Sequence, residues 1–304
     1  MDKGGLQGGV ERGNKPTPAR RAAVAVVRSV ADEHCTPTTP AVAVGPGIPS
    51  STEEGSLFSR ELFMTQPTEI QVDVQEHGAN QQTLNQRLYM QLQVFGDCHD
   101  AHVMAHALKA SGIEGVLYRD LNDPMGIGIL AMHQDPAFFV TALRDLLSSD
   151  PFRQLRQKQN MTMFGRTYAS GFEGDLQDWL LHKPRRTACN PDWPWAIWYP
   201  LRRSGAFSKL PPQEQGAILR EHGTIGRAYG DADLAHDVRL ACHGLDLNDN
   251  DFLIGLIGRE LHPLSHIVQT MRKTKQTSEF IQSLGPFFVG HALWQASPRI
   301  EGRG

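Results

Sequence analysis

From Leu88 onward, short apolar runs alternate with stretches of helical periodicity. Leu88–Phe95 has the composition of a strand, and Ala101–Ala110 that of a helix. Gly115–Asp120 and Ile127–Met132 predict two strands turned by Asn122-Asp123-Pro124. Asp135-Pro136 opens a helix that should run to Leu147, with Asp as N-cap and Pro at the first helical position. Met161–Tyr168 predicts a closing strand. The same order then returns: strand Trp195–Leu201, helix Pro211–Tyr229, strands Asp237–Leu245 and Asp251–Ile257, helix Pro263–Leu284 and strand Pro286–Leu293. Each half reads β-α-β-β-α-β, the ferredoxin-like order. The predicted fold is therefore α+β, two tandem ferredoxin-like halves whose sheets curl into a pseudo-symmetric α+β barrel with the helices outside. The repeat is one of element order, not of residue identity.

The start of the chain departs from this pattern. Gly, Pro, Ser and Thr recur through Met1–Pro67 with few aromatics, a composition that cannot bury enough surface to fold alone. We read residues 1–84 as a disordered tail, 85–170 as the first half, 171–194 as a linker, 195–297 as the second half and 298–304 as a short tail. Arg20-Arg21 before Ala22–Val27 has the look of a twin-arginine signal, but Arg28 ends the apolar run too early for a signal core.

Composition narrows the function. Lys plus Arg number 30 against 33 Asp plus Glu, a net charge of −3, so a dedicated nucleic-acid binder is not expected. No apolar run approaches the length of a membrane span. Four cysteines, Cys35, Cys98, Cys189 and Cys242, form no CxxC pair, so neither a disulfide framework nor a cysteine zinc site is indicated. A cytoplasmic protein is expected.

The most informative segment is Pro211–Tyr229. Ile218, Leu219, Ile225 and Tyr229 fall at helical spacing, and His222 lies among them on the face expected to be buried, with Gly223 and Gly226 leaving room beside it. Two readings stand: a core histidine bonded to a carbonyl, or an axial ligand to a haem lying against the helix. In the first half, His99, His102 and His106 share a helix face with Cys98 at its opening, which is either a polar surface or a zinc or copper site.

Tyr199-Pro200-Leu201-Arg202-Arg203, Glu221-His222-Gly223, Gly244-Leu245-Asp246, Asp251-Phe252 and Gly285-Pro286-Phe287-Phe288-Val289-Gly290 occur in that order. Together they resemble the haem-binding half of the chlorite dismutase family, which includes the coproheme decarboxylases. The resemblance implies a cofactor-free first half and haem b or iron coproporphyrin bound in the second. It also implies a homo-oligomer, often a pentamer, with no nucleic-acid or membrane partner. His222 matches the axial ligand and so the iron-binding residue. Tyr199 matches the tyrosine that decarboxylases oxidise to a radical. Arg202 and Arg203, and more weakly Arg185 and Arg186, are candidates to pair with haem propionates. Where the resemblance implies a distal arginine this chain has Ala235, and His236 and Arg239 are the neighbouring polar candidates to act on an oxidant. Where it implies a carboxylate behind the axial histidine, the chain has Lys275-Gln276, which implies a less electron-rich iron. The expected function is a haem-dependent oxidoreductase activating peroxide or a related small oxidant. The alternatives are a coproheme decarboxylase whose substrate is the porphyrin, and a non-catalytic haem carrier or sensor.

Overall fold

A computed structural model describes residues 71–297. Eight antiparallel strands close into a barrel: β1 Tyr89–Gly96, β2 Gly115–Asp120, β3 Ile127–His133, β4 Met163–Thr167, β5 Trp195–Arg203, β6 His236–Ala241, β7 Phe252–Gly258 and β8 Phe288–Gln295. The first half runs β4-β1-β3-β2 across its sheet and the second runs β8-β5-β7-β6. Each is the strand order of a ferredoxin-like unit. The ring closes where β2 pairs with β8 and β4 with β6. The halves are thus related by a pseudo-two-fold, and every long strand has two partners, which removes the open edges of a lone sheet.

Alternation along the strands sorts the side chains. Met90, Leu92 and Val94, Val116 and Tyr118, Leu130 and Met132, Ala196 and Trp198, Val238 and Leu240, Leu253 and Ile257, and Phe288 fill the barrel interior. Trp198 is fully buried, and its indole fills the space left by Gly255, where a Cβ would come within 2.5 Å of the ring. The outward residues are buried as well. On the first half Leu117, Ile127 and Ile129 meet Met104 and Leu108 of α1 (Ala101–Ser111). Both faces being covered explains why β3 reads as a continuous apolar run rather than an alternating one.

Several predicted boundaries shift for local reasons. Asp135 does cap a helical start, its carboxylate accepting from the Ala137 N–H at 2.9 Å, but only as a 3-10 turn, Pro136–Val140. Thr141, in a non-helical conformation, separates that turn from α2 (Ala142–Leu147). The strand predicted to reach Leu245 stops at Ala241, because the chain turns through Gly244 at φ 69°. The helix predicted over Pro263–Leu284 is three elements. After α5 (Leu261–Met271), the Thr274 side chain caps α6 (Lys275–Phe280), and Ile281–Leu284 then pairs with β5.

The segment read as a linker, 171–194, is largely helical. A π-turn over Asp178–His182 runs into α3 (Lys183–Ala188), and Leu176, Leu180, Leu181, Ala188 and Cys189 join the barrel core. The tail reading also needs a new boundary. Glu76–His77 pairs with Thr83–Leu84, and Glu76 binds Arg87, Arg166 and the Ala169 N–H. The readings for residues 1–70 and 298–304 lie outside the described residues. Among those described, no helix is long and apolar enough to cross a membrane.

One buried carboxylate organises the loop that follows β4. Glu173 accepts from the Ser170 hydroxyl at 2.6 Å and from the N–H groups of Ser170, Gly171 and Phe172 at 2.9–3.0 Å. Burial raises its pKa, but these donors outweigh burial and hold the carboxyl below the usual glutamate value. That stabilisation is present above the unfolded value of about 4.3 and is lost as pH falls through the lower folded value. Glu173→Gln should cost about 2 kcal/mol, lowering the melting temperature at pH 7 by roughly 4–8 °C. Thermal melts from pH 7 to 3 should show the gap between wild type and variant closing in acid; an unchanged gap would reject the assignment.

Candidate functional site

The outer face of the second half packs against α4 (Pro212–Asp231) and α5, and strand register decides which residues face those helices. Ile197 of β5 lies opposite Leu256 of β7, which lies opposite Asp237 of β6. The next outward row is Tyr199, Ile254 and Arg239, and the next Leu201, Phe252 and Ala241. With strands about 4.8 Å apart, Tyr199 and Arg239 stand roughly 10 Å from one another on one face. Arg203 ends the outward series on β5. From the helix side, Ile225 and Tyr229 of α4 pack onto the apolar members of this face.

His222 lies on the same face of α4 as Ile225 and Tyr229. Its Nδ1 is buried and has no hydrogen-bond partner, so no carbonyl satisfies it. Burial lowers its pKa below the ordinary histidine value, helped by the charges of Arg239 and Arg203 and opposed by Asp237 and Glu221. The ring is therefore neutral at pH 7. Arg203 stacks on Phe207 and Phe252, its guanidinium carbon 4.5 and 4.9 Å from the ring centroids, and its Nε is buried without an acceptor. Tyr199 is 8% exposed, stacked on Phe287 at 4.8 Å, and burial pushes its hydroxyl pKa up. Arg239 forms an ion pair with Asp237 at 2.9 Å. Behind α4, Lys275 turns outward to Glu214 at 3.0 Å, whereas Gln276 is 6% exposed and its Oε1 has no partner. The Lys275 N–H donates to Glu221 at 3.1 Å and ties α6 to the helix carrying His222.

The structure thus brings His222, Tyr199, Arg203 and Arg239 together, and leaves other candidates elsewhere. His236 lies in register with Ile257 and Ala196, the inward row, so it is on the opposite face of the sheet from Arg239. Its ring stacks on Trp193 at 3.6 Å and its Nε2 meets Asp233 at 2.8 Å. Arg202 alternates away from Arg203 and holds the loop carbonyls of Asn248 and Asp249. Arg185 is buried on α3, bound to Glu114 at 3.0 Å and the Leu181 carbonyl at 2.7 Å, and Arg186 pairs with Asp178. In the first half His102 contacts Arg119 at 3.0 Å, and Cys98 is buried in the core beneath α1. No group of three or more potential ligands that could hold a metal occurs among the described residues. Gly223 and Gly226 do not mark a close approach, since a Cβ at either meets nothing nearer than Met271 Cε at 3.8 Å from Gly226.

Sequence reasoning missed Tyr168, Asp237, Trp179 and Lys183. Tyr168 and Lys183 feel the same Asp237 and Arg239 charges that act around His222. Asp237 was legible, lying two residues from Arg239 on a strand and so on its face. Tyr168 comes from the other half, and only barrel closure through the β4–β6 pairing brings it here.

Fold and site define a class: a pseudo-two-fold eight-stranded α+β barrel with a half-buried histidine, its Nδ1 unpartnered, on the outer helix of its second half. A family model described as chlorite dismutase matches residues 125–293, and the chain belongs to that family. Among solved structures, similarity extends to a heme-binding protein from Thermus thermophilus, at 18% identity and a TM-score of 0.54 over 69% of this chain and 92% of that one. A variant of the chlorite dismutase from Candidatus Nitrospira defluvii is similar at 16% identity and a TM-score of 0.53, with the same coverage. At these identities the likeness speaks for the fold. No curated protein matches the sequence.

Proposed function

We propose that this protein is a haem-dependent oxidoreductase that binds its porphyrin between α4 and the outer face of β5–β7. The observation that carries this reading is the buried, unpartnered Nδ1 of His222, with the unpartnered Arg203 guanidinium near enough for its charge to act on the ring. Buried polar groups are normally satisfied, so an imidazole nitrogen and a guanidinium Nε left unpaired on neighbouring elements suit the binding of a group that partners both. An aromatic ligand with an imidazole-binding iron and acidic side chains fits that donor set.

His222 would hold the iron through one ring nitrogen, and its neutral state means no proton need be displaced. The buried group on the α6 turn behind it is the Gln276 amide, a neutral acceptor. A neutral acceptor leaves the imidazole a weaker electron donor than a carboxylate would. Arg203, desolvated and without an acceptor, would meet a propionate through a charge-assisted hydrogen bond. When bound, haem would supply the redox chemistry, activating a small oxidant such as peroxide. Arg239 is the cation of the sheet face opposite His222 suited to stabilising negative charge on that oxidant, and Asp237 orients it.

One observation favours decarboxylation of iron coproporphyrin as a second reading. Tyr199 is buried on the helix-facing side of the sheet, in register with Ile254 and Arg239, where an oxidisable phenol could reach a bound porphyrin. The two readings separate in one comparison. Steady-state peroxide turnover with a reducing dye should persist in Tyr199→Phe, whereas conversion of iron coproporphyrin III to haem b should fall by about two orders of magnitude or more if Tyr199 carries the radical. Binding without either activity would leave a carrier.

A further inference from the structure

The solvent side of the second half carries a pair of imidazoles that the site above does not use. His262 and His266 lie four residues apart on α5, so they share one helical face, and both are exposed. Their ring centroids are 5.9 Å apart and the ring planes are tilted by 36°. Two imidazoles that share one cation at nitrogen–metal distances of about 2.0–2.1 Å hold their centroids roughly 4.5–6.5 Å apart. The observed pair falls inside that range.

A chain of hydrogen bonds fixes which nitrogen of His266 carries its proton. The Thr270 hydroxyl donates to the His266 carbonyl at 2.9 Å, which occupies its single proton. Toward Tyr229, at 3.2 Å, the Thr270 oxygen can then only accept, so the phenol donates there. The phenol oxygen also meets His266 Nδ1, and with its own proton already placed it accepts from Nδ1–H. Neutral His266 is therefore protonated on Nδ1 and has its lone pair on Nε2. Metal-binding histidines are oriented in this way: one ring nitrogen donates to a fixed oxygen, which sets the tautomer and raises the basicity of the other. His262 makes no hydrogen bond or ion pair among the described residues, so no polar partner competes for its ring.

We propose that His262 and His266 form a two-imidazole site for a divalent transition cation of the zinc, copper or nickel type, with Tyr229 as the positioning residue for His266. Imidazole suits these ions, whereas magnesium and calcium take oxygen ligands. The same four-residue spacing on one helical face supplies two of the ligands in helical zinc sites. No third protein ligand joins the pair among the described residues, so solvent completes the coordination and the ion exchanges. The site does not rest on the haem reading, since both ligands belong to α5 and His222 to α4.

The test titrates zinc chloride into the full-length chain by calorimetry, with His262→Gln, His266→Gln and Tyr229→Phe beside wild type. The chain has 13 histidines, so the difference between wild type and variant is what identifies the site. Each histidine variant should weaken one zinc site by on the order of 10-fold or more. Tyr229→Phe keeps the ring and removes the acceptor for Nδ1–H; it should weaken that site by about 10-fold with the stoichiometry unchanged. Bound Cu²⁺ should show two nitrogen ligands by electron paramagnetic resonance in wild type and one in either histidine variant, and its hyperfine splitting should shift in Tyr229→Phe. Because both histidines are exposed, their variants should melt within roughly 2 °C of wild type without metal. No zinc binding by wild type, or equal binding by wild type and both histidine variants, overturns the site. Loss in only one histidine variant overturns the chelate, and full affinity with an unshifted copper spectrum in Tyr229→Phe overturns its positioning role.

Discussion

His222→Ala is expected to weaken haem binding by on the order of 100-fold or more, since loss of even a supporting contact to a metal ligand costs 10–100-fold. Titration of wild type and variant, followed by the Soret band, measures it. Wild type should show a saturating shift that the variant lacks or shows only weakly. The barrel should survive, because His222 belongs to a half-exposed helix whose one fully buried residue is Ile218. An unchanged melting temperature with lost binding therefore separates ligand loss from unfolding. Equal binding by the two proteins would move the iron elsewhere and reject the proposed site.

Trp198→Ala should be the most damaging of the changes considered for stability. The side chain is 0% exposed in the barrel interior, and removing a buried aromatic costs about 3–5 kcal/mol through lost transfer energy and the cavity left behind. For a unit of this size that lowers the melting temperature by on the order of 10 °C. The cavity should be resistant to refilling because Gly255, which faces the ring, has no side chain to move into it. Gly255→Ala tests the same contact from the other side, placing a methyl group within 2.5 Å of the indole. Combining the two should be less damaging than the sum of the singles, since the alanine methyl then occupies part of the cavity. A fully additive double variant in thermal or denaturant melts would show that the two residues do not share this space.

These predictions draw on different parts of the chain's information. The element order of both halves was readable because apolar runs mark the strands and the 3.6-residue period marks the helices. His222 was readable for the same reason, falling at helical spacing with Ile218, Ile225 and Tyr229, whereas Leu219 of the same predicted face is exposed. Helix ends were less so. Thr141 and Thr274 interrupt predicted helices through backbone geometry and a side-chain cap that the apolar pattern does not encode. Residues 178–188 look like a linker by sequence because Pro184 and the run of basic residues obscure a helix whose Leu180, Leu181 and Ala188 find their apolar partners only in the barrel core.

Among the site residues, the arginines show the limit most clearly. Arg202 and Arg203 are equivalent in sequence, yet strand alternation turns one to a loop and the other onto the rings of Phe207 and Phe252. His236 and Arg239 are three apart and so fall on opposite faces of β6, a consequence of a period of two that is certain only once the strand is known to be continuous. The family, the order of elements and the histidine proposed as the axial ligand were legible in the residues alone, because they rest on local periodicity and short motifs. Which cations lie near that histidine depended on how the strands pair in three dimensions. The tertiary structure also brought Tyr168, Trp179 and Lys183 from the far half and the joining helix, because closing the barrel places side by side strands that lie some seventy residues apart in the chain.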